Sequence, residues 1–208
     1  MNNLNLNYKT MKTLSLLLVL MNFYFITLSQ TYNPDNYKLA DVCLSDEEWK
    51  LYDLINEYRR QKGLADITIS RSLTYVAQLH VWDLNVNKPD AKSKCNMHSW
   101  SNKGTWSACC YTSDHAKASC MWDKPKELTN YKGNGFEIAH GTYGYSANAE
   151  SALSGWKGSS GHNNVMINKS IWKDMNWNAI GIGISGGFAV VWFGTAKDME
   201  TVPVACED

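Results

Sequence analysis

A histidine stands at the head of a short apolar-faced segment, Gly161-His162-Asn163-Asn164-Val165-Met166. Val165 and Met166 follow it at i+3 and i+4, which predicts a short helix capped by Ser159 or Ser160, with the imidazole among the free backbone N–H groups of the first turn. A helix N-terminus disfavours added positive charge, so His162 is expected to be neutral near pH 7. Neutral imidazole is the form that ligates a metal or accepts a proton. A hydrogen-bonded structural role is the plainer reading for one histidine beside an apolar face.

Nucleophilic chemistry finds little support. There is no Gly-x-Ser-x-Gly turn, and Ser99 beside His98 is a dipeptide with no pre-set geometry. The six cysteines, Cys43, Cys95, Cys109, Cys110, Cys120 and Cys206, are even in number and lack a Cys-x-x-Cys pair. In an exported chain that pattern points to disulfides rather than to reactive thiols or a thiolate zinc site. Which cysteines pair stays open.

The elements that must carry these residues come from periodicity. Ser45-Asp46-Glu47-Glu48 reads as a capping box, followed by Leu51, Leu54, Ile55 and Tyr58 at helical spacing up to Gly63. A second helix is predicted from about Ser70 to Asn85. His80 lies on its apolar stripe and reads as a core histidine with a polar partner rather than a site residue. A third helix is predicted from an N-cap at Ser146 to Trp156. Trp177–Ser185 and Phe188–Thr195 read as strands of a hairpin turning at Gly186-Gly187. Helices first and a hairpin last predict an α+β fold with an antiparallel sheet covered by helices.

Between Pro89 and Gly135 the periodicity fails, and this stretch holds four of the cysteines with Trp100, Trp106 and Trp122. So long an irregular segment is expected to be functional or stapled. Its tryptophans are expected to cover a small satellite core of their own, with an exposed ligand platform as the alternative.

Lys9 and Lys12 precede an apolar run, Leu14–Leu28, too short to favour a membrane span, and small residues follow. Residues 1–29 therefore read as a signal peptide, and the mature chain is expected to be secreted, with no transmembrane segment after cleavage. The chain carries 20 Lys+Arg and 20 Asp+Glu, so removing two lysines leaves 18 against 20. With no Lys/Arg cluster, nucleic acid is not an expected partner. Residues 30–44 read as a linker and 198–208 as a tail.

The order of several blocks is more specific than any one of them. Phe136-Glu137-Ile138-Ala139, then Ala149-Glu150 through Trp156, then Ser160-Gly161-His162, then Ile180-Gly181-Ile182-Gly183, closing on Phe188–Gly194, resembles the CAP superfamily (cysteine-rich secretory proteins, antigen 5, pathogenesis-related 1), in its bacterial form. Met97-His98-Ser99 is similar to that family's first His-Ser block. The resemblance spans residues 45–197, with residues 89–135 as a Cys/Trp-rich insertion. It implies an α-β-α sandwich and a central cleft holding two histidines and two glutamates.

By that resemblance His98, Glu137 and His162 line the cleft and would be the ligands of zinc or another divalent metal. His115 and His140 are substitutes for the first histidine. The second glutamate has no match: Ser159 stands at its position, and Glu150 falls on another face of its helix. Phe136 replaces the usual glycine, and Asn163-Asn164-Val165 the usual Tyr-Thr-Gln. With Ser159 at that position and no nucleophile motif to compensate, the first expectation is a secreted binding module for a metal or an unidentified small ligand, such as a lipid or glycan, without catalysis by the cleft. A metal-dependent hydrolase of peptide or cell-wall material and an inert structural domain are the alternatives.

Overall fold

A computed structural model describes residues 32–91 and 94–207; the signal-peptide reading lies outside the described residues. Helix α1 (Asp46–Gln61) starts at the expected capping box: Glu48 N donates to Ser45 Oγ, and Ser45 N donates back to Glu48 Oε2 at 2.9 Å. Helix α2 (Arg71–Asn87) is capped by Ser70, whose Oγ accepts from Leu73 N at 3.0 Å, and runs two residues past the predicted end to a left-handed Lys88.

The hairpin forms as expected, from β3 (Ala179–Ser185) and β4 (Phe188–Gly194), with Gly186 at φ +52 in the turn. A third strand, β2 (Gly135–Gly141), pairs antiparallel with β4 in the register Glu137↔Trp192, giving the order β2-β4-β3. Central β4 is buried along its whole length, which is why it reads as one apolar run rather than an alternating one.

Side chains alternate across this sheet and fill two cores. Leu73, Val76, Ala77 and Leu84 of α2 pack with Val190 and Trp192 on one face. On the other, Leu51 and Ile55 of α1 meet Ile180, Ile182, Val191 and Phe193. That second face is completed by α5 (Ala149–Gly158) and α6 (Ser160–Met166), through Ala152, Trp156, Val165 and Met166. Each fully buried aliphatic or aromatic side chain here contributes about 1.5–3 kcal/mol.

The result is an α-β-α sandwich with an antiparallel sheet. Its α2 layer lies unusually close: a Cβ on Gly181 would come 2.1 Å from Leu73 C, and one on Gly183 would come 2.5 Å from Ala77 O. The Ile-Gly-Ile-Gly alternation therefore places isoleucines under α1 and bare backbone under α2.

Three boundaries differ from expectation. Asn148, not Ser146, caps α5, accepting from Ser151 N at 2.9 Å; Asn is as good an N-cap as Ser, and its amide reaches this helix's first turn. The stretch expected to be a linker is packed, with Tyr32, Tyr37, Val42 and Leu44 buried and Cys43 bonded to Cys206. The expected tail is fastened as well. Its strand β5 (Val204–Ala205) pairs in parallel with β1 (Cys43–Leu44), and Asp198 accepts from Ser70 Oγ and Ser72 N at the head of α2.

The insertion holds two short helices, α3 (Ala118–Trp122) and α4 (Lys124–Leu128), and two disulfides, Cys95–Cys110 and Cys109–Cys120. Its tryptophans do not form a separate satellite core. Trp100 and Trp106 are continuous with the α2-side core, and Trp100 stacks on His80 with ring centroids 4.3 Å apart. Sequence periodicity cannot register such a contact, because the partners lie in different elements. Among the described residues no helix is long and apolar enough to cross a membrane.

Candidate functional site

β2 forms the free edge of the sheet on one side, and His80 and His98 both meet it at Glu137. Glu137 points toward α2, on the face that holds Ala139 and Trp192, and its side chain is fully buried. Its Oε1 meets His98 Nδ1 at 2.7 Å and its Oε2 meets His80 Nδ1 at 2.5 Å. His80 Nε2 in turn donates to the carbonyl of Ser99 at 3.0 Å.

Burial alone would raise the Glu137 carboxyl, but the charge and hydrogen bonds of His80 and His98 hold it below the ordinary carboxylate range. Burial likewise pushes His80 down. The facing Glu137, the Ser99 carbonyl and Asp83 outweigh it, and the net direction for His80 is upward.

His98 is set by its own loop. Its N–H donates to Asn96 Oδ1 at 3.0 Å, Asn96 N donates to Tyr111 O, and the Tyr111 ring stands edge-on to the imidazole at 5.2 Å. The Cys95–Cys110 bridge closes this loop just outside those contacts. Ser99 is buried and committed to the same loop: its Oγ accepts from Tyr111 N at 2.9 Å. That bond explains how a His-Ser dipeptide can serve architecture without supplying a nucleophile.

His162 lies in the first turn of α6, and no hydrogen bond to its ring is present among the described residues. Ser159 occupies the N-cap position but makes no side-chain capping bond, contrary to expectation, since its backbone also ends α5. Burial lowers the His162 pKa first, and proximity to His98 and His140 lowers it further, against an opposing pull from Glu137. The direction matches the neutral state expected from the sequence, but its causes are desolvation and neighbouring imidazoles. α1 anchors this helix: Tyr58 Oη donates to Asn163 Oδ1 at 3.0 Å, and Arg59 donates to the Met166 carbonyl at 2.6 Å.

The two substitute histidines are placed differently. His115 is exposed and bonded through Nδ1 to Tyr111 Oη at 2.8 Å, one step removed from His98. His140 points to the face of β2 opposite Glu137, against Trp156 and Tyr145, and burial lowers its pKa. Gly155 makes room for it, because a Cβ there would lie 2.6 Å from His140 Nδ1. Glu150 turns away to an exposed ion pair with Lys50. Phe136, where the resemblance predicts glycine, fills an aromatic cluster with Trp122, Trp172 and Trp177.

Periodicity assigned His80 to the core with a polar partner, and both statements hold. It did not show that the partner is Glu137, which makes His80 a support of the site; a buried histidine whose turn faces a strand glutamate was the available signal. Tyr111 and Gly155 carried no sequence signal at all.

A concavity of about 230 Å³ lies elsewhere, at the β3 edge, lined by Asp66, Trp177, Asp198 and Glu200 and by no histidine. Among the described residues no three or more His, Cys, Asp or Glu side chains stand together closely enough to hold a metal ion. Three protein ligands from His98, Glu137 and His162 therefore do not fit the side chains as placed, since both Glu137 oxygens are taken. Glu137 stands behind His98 as its hydrogen-bond acceptor at 2.7 Å.

The helix-sheet-helix sandwich is shared with a known family of domains. The chain belongs to the CAP, or cysteine-rich secretory protein, family, whose model matches residues 52–187. Among solved structures it is similar to an extracellular protein containing an SCP domain from Bacillus anthracis, with 18% identity and a TM-score of 0.50 over 72% of this chain and 40% of that one. It is also similar to an outer surface protein from Borrelia burgdorferi, with 19% identity and a TM-score of 0.48 over 73% of this chain and 95% of that one. A search of curated proteins returned no match.

Proposed function

We propose that this chain is a secreted CAP-domain binding module whose cleft takes a divalent metal or a small ligand through His98 and His162, without catalysis by the cleft. The observation that carries this reading is the His98 Nδ1 to Glu137 Oε1 contact at 2.7 Å. It orients one imidazole from behind, as carboxylates do for metal-ligating histidines, while the carboxylate itself stays buried. The downward shift of His162 through burial supports the same role, because a protonated imidazole cannot ligate. Ser99 is committed to its loop, its Oγ accepting from Tyr111 N. Three disulfides support an oxidising, extracellular location.

Calorimetric zinc titration of wild type, His98→Ala, His162→Ala and Glu137→Ala tests the reading. Weak binding is expected in the wild type, lost in both histidine variants and weakened about 10–100-fold when the supporting carboxylate is removed. Equal affinity in all four proteins would overturn it. The absence of cleft catalysis is checked by zinc-supplemented turnover of casein and peptidoglycan by wild type and His162→Ala. A loss of more than about 100-fold in the variant would establish a hydrolase instead.

A further inference from the structure

The connection between α6 and β3 holds an isoleucine out to solvent from a fixed base. In the run Lys169-Ser170-Ile171-Trp172-Lys173, Ser170–Trp172 form one 3-10 turn. Ile171 is 81% exposed, and Lys169 and Lys173 on either side of the turn are exposed as well. A single exposed aliphatic side chain is ordinary on a protein surface and needs no explanation by itself. The way this one is held, and the charges around it, are what point to a partner.

Asn168 and Ser170 both adopt left-handed backbone, with φ +49 and +56, a conformation strained for residues other than glycine. Their surroundings enforce it. Asn168 Oδ1 accepts from buried Arg59 at 2.7 Å, and its amide nitrogen donates to the Met175 carbonyl at 2.9 Å. Lys169 N donates to the Asn164 carbonyl and Lys173 N to the Ser170 carbonyl. Trp172 turns back onto the body, its ring centroid 5.2 Å from that of Phe136 and 5.7 Å from that of Trp177. The base of the turn is thus fixed, and its apolar apex stands outside the packed layers. Among the described residues neither Lys169 nor Lys173 has an ion-pair partner. Asp174 is the acid that follows, so two lysines against one carboxylate leave this turn positive on a chain whose charges otherwise balance.

An anionic bilayer surface matches each of these features. An aliphatic side chain sinks to the boundary of headgroups and acyl chains, a tryptophan suits the headgroup level, and lysines reach lipid phosphates while their methylene stems stay with the apolar layer. A protein partner matches less well, because one side chain offers far less area than a stable protein interface buries, and lysine is depleted from interface cores. We propose that residues 169–173 form a membrane-surface contact, with Ile171 entering an anionic phospholipid bilayer and Lys169 and Lys173 on its headgroups. One aliphatic side chain and two charges give weak, reversible attachment, of the kind a single acyl chain provides. The contact uses none of the histidine cleft, so it stands or falls apart from metal binding there.

The experiment is co-sedimentation of the disulfide-bonded protein with vesicles of phosphatidylcholine alone and of phosphatidylcholine mixed with phosphatidylglycerol. The wild type is expected to bind the mixed vesicles and not the neutral ones, and to bind less as salt is raised. Ile171→Ser is expected to weaken binding about 10–100-fold, the effect of withdrawing one buried aliphatic side chain. Lys169→Ala and Lys173→Ala are each expected to weaken it about fivefold. Ile171 is too exposed for its replacement to unfold the protein. Met199 is the control, because it is 88% exposed but stands between Asp198 and Glu200, and Met199→Ser is expected to bind as the wild type does. Unweakened binding by Ile171→Ser, an equal loss in Met199→Ser, equal binding to neutral and anionic vesicles, or no binding to either would each overturn the proposal.

Discussion

Trp100 of the insertion lies parallel to His80 of α2 with ring centroids 4.3 Å apart. A segment without periodic structure is thereby joined to the layer that supports Glu137. The contact makes the insertion part of the main core, and it predicts that damage there is felt as global instability. Trp100→Ala is expected to cost about 3–5 kcal/mol, the usual range for a buried tryptophan. Urea denaturation measures it; a loss under about 1 kcal/mol would mean that the insertion folds independently of the α2 layer.

Lys124 is almost wholly buried, donating to the Ser107 carbonyl and to Glu127 Oε2 at 2.5 Å each. Burial would raise Glu127, but Lys124 and Ser107 hold it below its ordinary 4.5. A depressed carboxyl contributes stability that is complete above the unfolded value and disappears as pH falls through the folded one. Stability is therefore expected to decline from about pH 4.5 downward, with a smaller decline in Glu127→Gln. At neutral pH, Glu127→Ala strands the buried ammonium and is expected to cost about 3–5 kcal/mol. Denaturation midpoints across pH decide the matter, and parallel curves for wild type and Glu127→Gln would contradict it.

Gly183 sits under α2 where a Cβ would meet Ala77 backbone atoms at 2.5 Å. Neither partner is a flexible side chain that could swing aside. Gly183→Ala is expected to destabilise by at least about 1–3 kcal/mol, the range for overpacked cores. Gly158, with open space around its Cβ position, is the control: Gly158→Ala is expected to be neutral or slightly stabilising. The Gly183→Ala melt should fall below that of the wild type and the Gly158→Ala melt at or above it; coincident melts of the two variants would refute the close-approach argument.

All six cysteines are paired, and the loops they close differ greatly in length. Intact mass after alkylation under denaturing, non-reducing conditions should show no added label; six labels would refute the pairing. Cys43–Cys206 spans 163 residues and Cys95–Cys110 spans 15. Chain-entropy arguments then predict about 5 kcal/mol lost on deleting the first bridge and about 3 kcal/mol on deleting the second. Paired Cys→Ala variants compared by urea denaturation test that order.

Much of the sandwich follows from local patterns. The capping box at Ser45, the apolar stripe of α2 and the Gly186-Gly187 turn each specify their element through contacts a few residues apart. The sequence order of blocks likewise brought Glu137, His98 and His162 forward together. Strand β2 was not read as a strand, because its identity depends on pairing with distant β4, in the register Glu137↔Trp192. The N-terminal stretch read as a linker for a similar reason: Tyr32 is held by Glu48 and Tyr37 by Gln78, partners supplied by other helices.

Around Glu137, sequence determined which side chains could do chemistry, and tertiary structure decided what each of them faces. Periodicity placed His80 inside the protein. That its two nitrogens meet Glu137 and the Ser99 carbonyl depends on α2, β2 and the insertion loop converging, and no spacing along one element encodes that convergence. The roles diverge accordingly: Glu137 turns inward to two imidazoles, His98 spans the buried carboxylate and the solvent, and His140 leaves by the opposite face of the same strand. A strand's two-residue alternation says that Glu137 and His140 must part company, but only the packed layers decide which of them meets His98.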